Sequence, residues 1–162
     1  MPKRIPLSEM EFGKIAIIRF GKTAEIMQTL PVIRVLKRQY PQVEIHFIAK
    51  EQYCEVLRNV EEIHKIHAIK KEAWALTKLH DELADEFINA VFDLQNDFRS
   101  GFLYSAFPGV PKLMYKKYLI ESFLLKFFKI TPKKSIPPLW QRFLDVLPRQ
   151  NYEIFDADYE IS

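Results

Sequence analysis

The side chains able to do chemistry fall in three places along the 162-residue chain. The first is Gly21-Lys22-Thr23-Ala24-Glu25, which lies between an apolar run and a helical pattern. A carboxylate placed there can take the proton of an attacking hydroxyl, so Glu25 is a candidate general base. The plainer account of Glu25 is an acid in a first helical turn, favoured by the helix dipole. Gly21 gives the loop backbone freedom and Lys22 gives it charge, although Lys22 is equally well a solvated lysine. Gly-Lys-Thr also belongs to the phosphate-loop pattern, but the upstream glycine of that pattern is absent.

The second place is Gln95–Ser100, where Asn96 or Asp97 can cap a following helix. Arg99 then stands in the first turn, where the dipole disfavours a cation and an anionic ligand would reverse the penalty. The alternative for Arg99 is a local pair with Asp97 or Asp93. The third place is Lys112–Lys134, with seven lysines against one acid, Glu121. Tyr115, Tyr118, Phe123, Phe127 and Phe128 are interleaved with them. A net charge of +3 is too mild to argue for nucleic acid, but this one-sided stretch argues for an anion-facing surface. It also suits an anionic membrane surface, against the alternative of a solvated face over core aromatics.

The four histidines offer little. His64 and His67 are three apart on an expected strand and so point to opposite faces, unable to share a metal. His46 reads as strand surface, and Trp74 and Trp140 as packing residues. A single cysteine, Cys54, excludes an internal disulfide and a cysteine-built metal site. No metal site is expected.

Positioning these groups falls to alternating elements. Strands are expected at Lys14–Phe20, Val43–Ala49, Ile63–Ile69, Ala90–Leu94 and Lys112–Tyr115. Helices are expected at about Thr23–Tyr40, with Pro31 in the first turns or at a kink, and at Glu51–Arg58 and Glu72–Ile88. Further helices follow at about Phe98–Phe107, Tyr118–Phe128 and Pro138–Leu147. In the helix at Glu72–Ile88, Leu76, Leu79, Leu83 and Phe87 share one face. The alternation implies an α/β fold, a parallel sheet of order 3-2-1-4-5 covered by helices on both faces. Ligands bind beyond the C-terminal strand ends in such sheets, which singles out the Gly21–Glu25 and Gln95–Ser100 loops. Met1–Gly13 holds no apolar core of a secretory signal, and no stretch approaches the roughly 20 apolar residues of a spanning helix. A cytoplasmic location is the expectation, with at most peripheral contact at the inner membrane.

The runs IIRFGKTAEIMQTLPVIRVLKRQYPQVEIHFIAKEQY, NVEEIHKIHAI and FDLQNDFRS resemble the first domain of glycosyltransferase family 9. This is the ADP-heptose:lipopolysaccharide heptosyltransferase family, and the resemblance runs in unbroken order from about Lys14 to Leu147. It implies the N-terminal, Rossmann-like half of a GT-B glycosyltransferase, with the acceptor held on this half and the nucleotide-heptose on a second. Residues 1–13 are then a leader, 14–148 the acceptor-side domain, and 149–162 an acidic tail or the start of an interdomain linker. The family's first loop usually ends in Gly-Asp, the Asp serving as base, and Ala24-Glu25 stand at those positions here. Gly21, Lys22, Gln95, Asn96 and Arg99 would line the acceptor cleft. Lys116 and Lys117 would meet the phosphorylated inner core of lipopolysaccharide. The implied partners are a phosphorylated sugar-lipid acceptor and, only with a second domain, ADP-heptose; no cofactor is expected. Two functions follow: a glycosyltransferase half inactive alone, or a non-catalytic module binding phosphorylated glycans or lipid surfaces.

Overall fold

A computed structural model describes residues 13–129 and 136–147. The leader up to residue 12, Lys133 and Lys134, and the 149–162 tail lie outside the described residues. Five parallel strands form one sheet: β1 (Lys14–Ile18), β2 (Glu44–Lys50), β3 (Ile63–Ile69), β4 (Ala90–Asp93) and β5 (Lys112–Met114), ordered β3-β2-β1-β4-β5. The expected α/β class and strand order both hold, with β1 in the interior. It has to be interior, because Ile15, Ala16, Ile17 and Ile18 leave no face for water and all four are fully buried.

The helices divide between the two faces. α1 (Thr23–Met27) and α2 (Leu30–Gln39) lie on one face with a 3-10 segment (Glu51–Leu57) and α6 (Leu139–Leu144). Their apolar residues, including Ile26, Ile33, Leu36 and Phe143, close over Ile15, Ile17, Ile45, Phe47 and Phe92. On the other face α3 (Ala75–Ala84) and α4 (Phe98–Tyr104) bring Leu79, Leu83 and Leu103 onto Ala16, Ile18, Ile48 and Val91. α5 (Leu119–Phe128) leaves Leu119, Phe123, Phe127 and Phe128 exposed.

Three expectations need correction. The single helix over Thr23–Tyr40 is two helices, because Pro31 has no amide proton to continue the ladder. The chain therefore stops at Met27 and restarts with Pro31 in the first turn of α2. The helix expected at Glu72–Ile88 ends at Ala84, and Phe87 turns the chain at φ 54° with 81% of its surface exposed. Its place on the apolar face is lost because the chain must turn to bring Asn89 beside β1, where it accepts from Lys14 N–H at 2.7 Å and donates to the Lys14 carbonyl at 2.8 Å. Trp74 is not a packing residue either: it is 55% exposed, with the Lys78 ammonium over its ring.

Candidate functional site

Two loops meet at the C-terminal ends of β1 and β4, where the strand order reverses. Arg19, at the end of the β1 run, is 7% exposed and joins them. Its guanidinium donates to the Leu94 carbonyl at 2.8 Å and to Glu25 Oε2 at 2.6 Å, and lies 5.5 Å over the Phe143 ring. The Lys22 N–H donates to the same Glu25 oxygen at 2.9 Å. Glu25 thus begins α1 by binding the backbone three residues back, as the acid of a capping box does. This oxygen already takes two donors, the Arg19 guanidinium and the Lys22 amide.

Gly21 cannot be another residue without rearrangement. Its φ is 138°, and a Cβ there would stand 2.2 Å from Tyr53 Cδ2. The 3-10 segment carrying Tyr53 therefore presses on the loop, and only a missing side chain lets the two coexist. The Gly21-Lys22 peptide is cis.

The second loop is built around Asp93, which is 1% exposed. Its Oδ1 accepts from Gln95 N–H at 3.1 Å and Asn96 N–H at 2.6 Å. Its Oδ2 accepts from Ser100 Oγ–H at 2.8 Å and faces Lys112 Nζ at 3.3 Å. Asp97, rather than Asn96, caps α4, accepting from Arg99 N–H at 2.9 Å and Ser100 N–H at 3.0 Å. Hydrogen bonds from Ser100, Gln95 and Arg99 outweigh burial and hold the Asp97 carboxyl below its ordinary range. Asn96 instead adopts φ 50°, and its amide donates to the Tyr115 carbonyl at 3.2 Å. The first-turn amides that would favour an anion are thus already occupied by Asp97. Only the Arg99 side chain remains available there, half-exposed, 3.1 Å from Asp97 Oδ2 and stacked 4.9 Å over Phe20.

The loops touch directly. Phe20 N–H donates to Gln95 Oε1 at 3.2 Å, while Gln95 Nε2 donates to Asp97 Oδ2 at 2.8 Å. Lys117 Nζ donates to the Asn96 carbonyl, so this lysine is tied to the loop. Lys116 stays exposed, its ammonium 4.8 Å from the Tyr118 ring. Gly21, Lys22, Glu25, Gln95, Asn96, Arg99 and Lys117 therefore share one end of the sheet. Sequence reasoning missed Arg19 as the link and saw Asp93 only as a partner for Arg99. A cation and an acid at the ends of otherwise apolar buried runs were the signal, since charges in such places need partners.

No protein-family model matches the chain. Lipopolysaccharide heptosyltransferase 1 of Campylobacter coli is 30% identical over 119 residues, covering 71% of this chain and 34% of that protein. The chain is heptosyltransferase-like, of the glycosyltransferase family 9 kind. It spans about a third of the length of the curated relative it matches, which is 34%. Solved structures agree on the fold. The family 9 glycosyl transferase of Veillonella parvula superposes with a TM-score of 0.66 at 15% identity, over 85% of this chain and 41% of that one. The E. coli heptosyltransferase WaaC with ADP gives 0.66 at 13% identity, over 91% and 51%. The E. coli ADP-heptose lps heptosyltransferase II gives 0.53 at 24%, over 62% and 30%. At these identities the structures speak for the fold alone. No helix among the described residues of this heptosyltransferase-like chain is long and apolar enough to cross a membrane.

The histidines depart from expectation. His46 is not strand surface but 1% exposed, and its Nδ1 lies 2.9 Å from His67 Nε2. His64 and His67 do not alternate simply, because the β2–β3 register slips between Ile45 and His46: Ile45 pairs with Ile63 but His46 with Lys65. His64 is the extra residue of this bulge, and a bulge re-aims a side chain.

Proposed function

We propose that this chain is the acceptor-binding side of a heptosyltransferase of lipopolysaccharide core synthesis. The observation that supports it most is the pair of interlocked loops at the switch point of the sheet, where α/β folds take their ligands. Arg99, Lys22 and Lys116 offer cations to a phosphorylated sugar-lipid, and Gln95 and Asn96 offer amides beside them. The donor ADP-heptose requires a donor-binding domain, in the same polypeptide or another. Rate in such an enzyme comes from presenting two substrates to each other, so the 162 residues alone transfer no heptose. The exposed face of α5, with Phe123, Lys126, Phe127 and Phe128, supports peripheral contact with an anionic membrane surface.

A second reading has one observation in its favour. Glu25 Oε2 is engaged by Arg19 and by the Lys22 amide, which suits a structural role and a non-catalytic module for phosphorylated glycans. One assay separates the two: purified chain, ADP-heptose and a heptose-deficient lipopolysaccharide acceptor, followed by mass spectrometry. No sugar adduct is expected from the chain alone, and an adduct is expected once a donor-binding domain is added. Turnover by the chain alone that disappears in Glu25→Gln would overturn the proposal of an incomplete half. Continued absence of product with a donor domain that completes authentic family members would favour the binding module.

A further inference from the structure

The opposite end of the sheet carries a cluster that heptose transfer does not use. His46, near the start of β2, is sandwiched between two imidazoles, His64 at 5.7 Å and His67 at 5.2 Å between ring centroids. Its two nitrogens have different surroundings. Nδ1 is within hydrogen-bond distance of His67 Nε2, at 2.9 Å. Nε2 is buried without a hydrogen-bond partner and faces Glu44 Oε2 at 3.9 Å. The same Glu44 oxygen lies 3.6 Å from His64 Nε2. A buried imidazole nitrogen with no hydrogen-bond partner calls for an explanation, and a carboxylate and a second imidazole stand beside this one.

We propose that Nε2 of His46, Nε2 of His64 and the carboxylate of Glu44 bind a divalent transition-metal ion of the zinc class, with His67 orienting His46. The three ligand atoms all lie within 4.8 Å of one another. Ligands around a tetrahedral zinc stand about 3.3 Å apart, so the cluster closes by small side-chain shifts. Three protein ligands leave a fourth position for solvent. With Nε2 on the ion, His46 would fit the usual pattern of a metal-ligating histidine, its Nδ1–H donating to His67 Nε2 at 2.9 Å.

A competing triad, His46, His67 and Glu86, also lies close together. It is the poorer site for two reasons. Lys65 Nζ is bound directly to Glu86, placing a cation where the metal would sit. Its two imidazoles are also already joined at 2.9 Å, closer than two ligands of one zinc. Lys14 approaches Glu44 only to 3.8 Å and is readily displaced. The ion would pin β2 to β3 across the bulge.

Zinc and cobalt ions themselves are the probes, added to chelator-stripped chain. Competition against a chromophoric chelator should show one equivalent of zinc bound, and cobalt should give the visible bands of a tetrahedral site. Glu44→Gln and His64→Ala alter partly exposed residues and should each weaken binding more than about tenfold. Circular dichroism of both variants verifies that the fold is kept. His80→Ala should change nothing, and Glu86→Gln no more than about twofold. Zinc should raise the melting temperature of the parent chain but not of His64→Ala. Absent binding, affinity unchanged in His64→Ala, or loss in Glu86→Gln with retention in His64→Ala would each overturn the assignment.

Discussion

The two ends of the β sheet treat their polar groups in opposite ways. At the C-terminal end Asp93 has four partners: two amides, the Ser100 hydroxyl and the Lys112 ammonium. Arg19 Nε there has no acceptor, but the same guanidinium donates twice and stacks on Phe143. Between β2 and β3, His46 has one partnered nitrogen and one left without a partner. The first arrangement ties two loops together through side-chain hydrogen bonds, as a binding surface on a scaffold requires. The second is incomplete by itself. The unpartnered nitrogen of His46 is the one that the proposed ion would engage.

The largest effect should come from Asp93→Ala, which leaves Lys112 and two loop amides without their acceptor. Breaking such a buried pair costs about 3 kcal/mol, measurable by urea denaturation. A loss below about 1 kcal/mol would break the contrast between the two ends. Gly21→Ala comes next, at about 2 kcal/mol from overpacking against Tyr53. Adding Tyr53→Ala to that variant should recover stability relative to Tyr53→Ala alone, and failure to do so would locate the strain in the backbone. Glu25→Gln should cost about 1 kcal/mol, since Arg19 stays buried while Glu25 is partly open to solvent.

The smallest effect near neutral pH is the acid response of the histidine end. His67 has a folded value of about 4 against an ordinary 6.5, and His46 is also lowered, both chiefly by burial. The unfolded chain therefore binds protons first, so stability is full above about pH 6.5 and falls as pH drops toward 4. Carboxylates such as Asp97 and Glu86, held below their usual range, contribute at lower pH still. Melting temperatures between pH 7 and 4 should drop less in His67→Gln than in the parent chain. Equal slopes would mean that His67 is not the group that titrates.

Much of the fold was legible because buried parallel strands announce themselves as short β-branched runs. The strand order followed from crossover geometry, and the loops at the switch point followed from the order. Helix ends were less legible. Phe87 has the right spacing for an apolar face, but local spacing cannot show that the chain must turn to let Asn89 meet Lys14. The histidine cluster was hidden for a related reason. Strict alternation puts His64 and His67 on opposite faces, and a one-residue slip in pairing is a tertiary event that the residues do not encode locally. The loop network lay between these cases: each polar residue was visible, but which of them bind one another was not.

Acceptor binding is proposed at the loops beyond the C-terminal ends of β1 and β4, which would hold a phosphorylated sugar-lipid. Its most direct test is amide chemical-shift mapping of the chain titrated with a heptose-deficient, phosphorylated lipopolysaccharide core fragment. Shifts should concentrate at 19–25 and 94–100 and extend to Lys116 and Lys117, with Glu44, His46 and His64 unmoved. Saturable shifts confined to the histidine cluster, or none at either loop at millimolar fragment, would contradict acceptor binding at these loops.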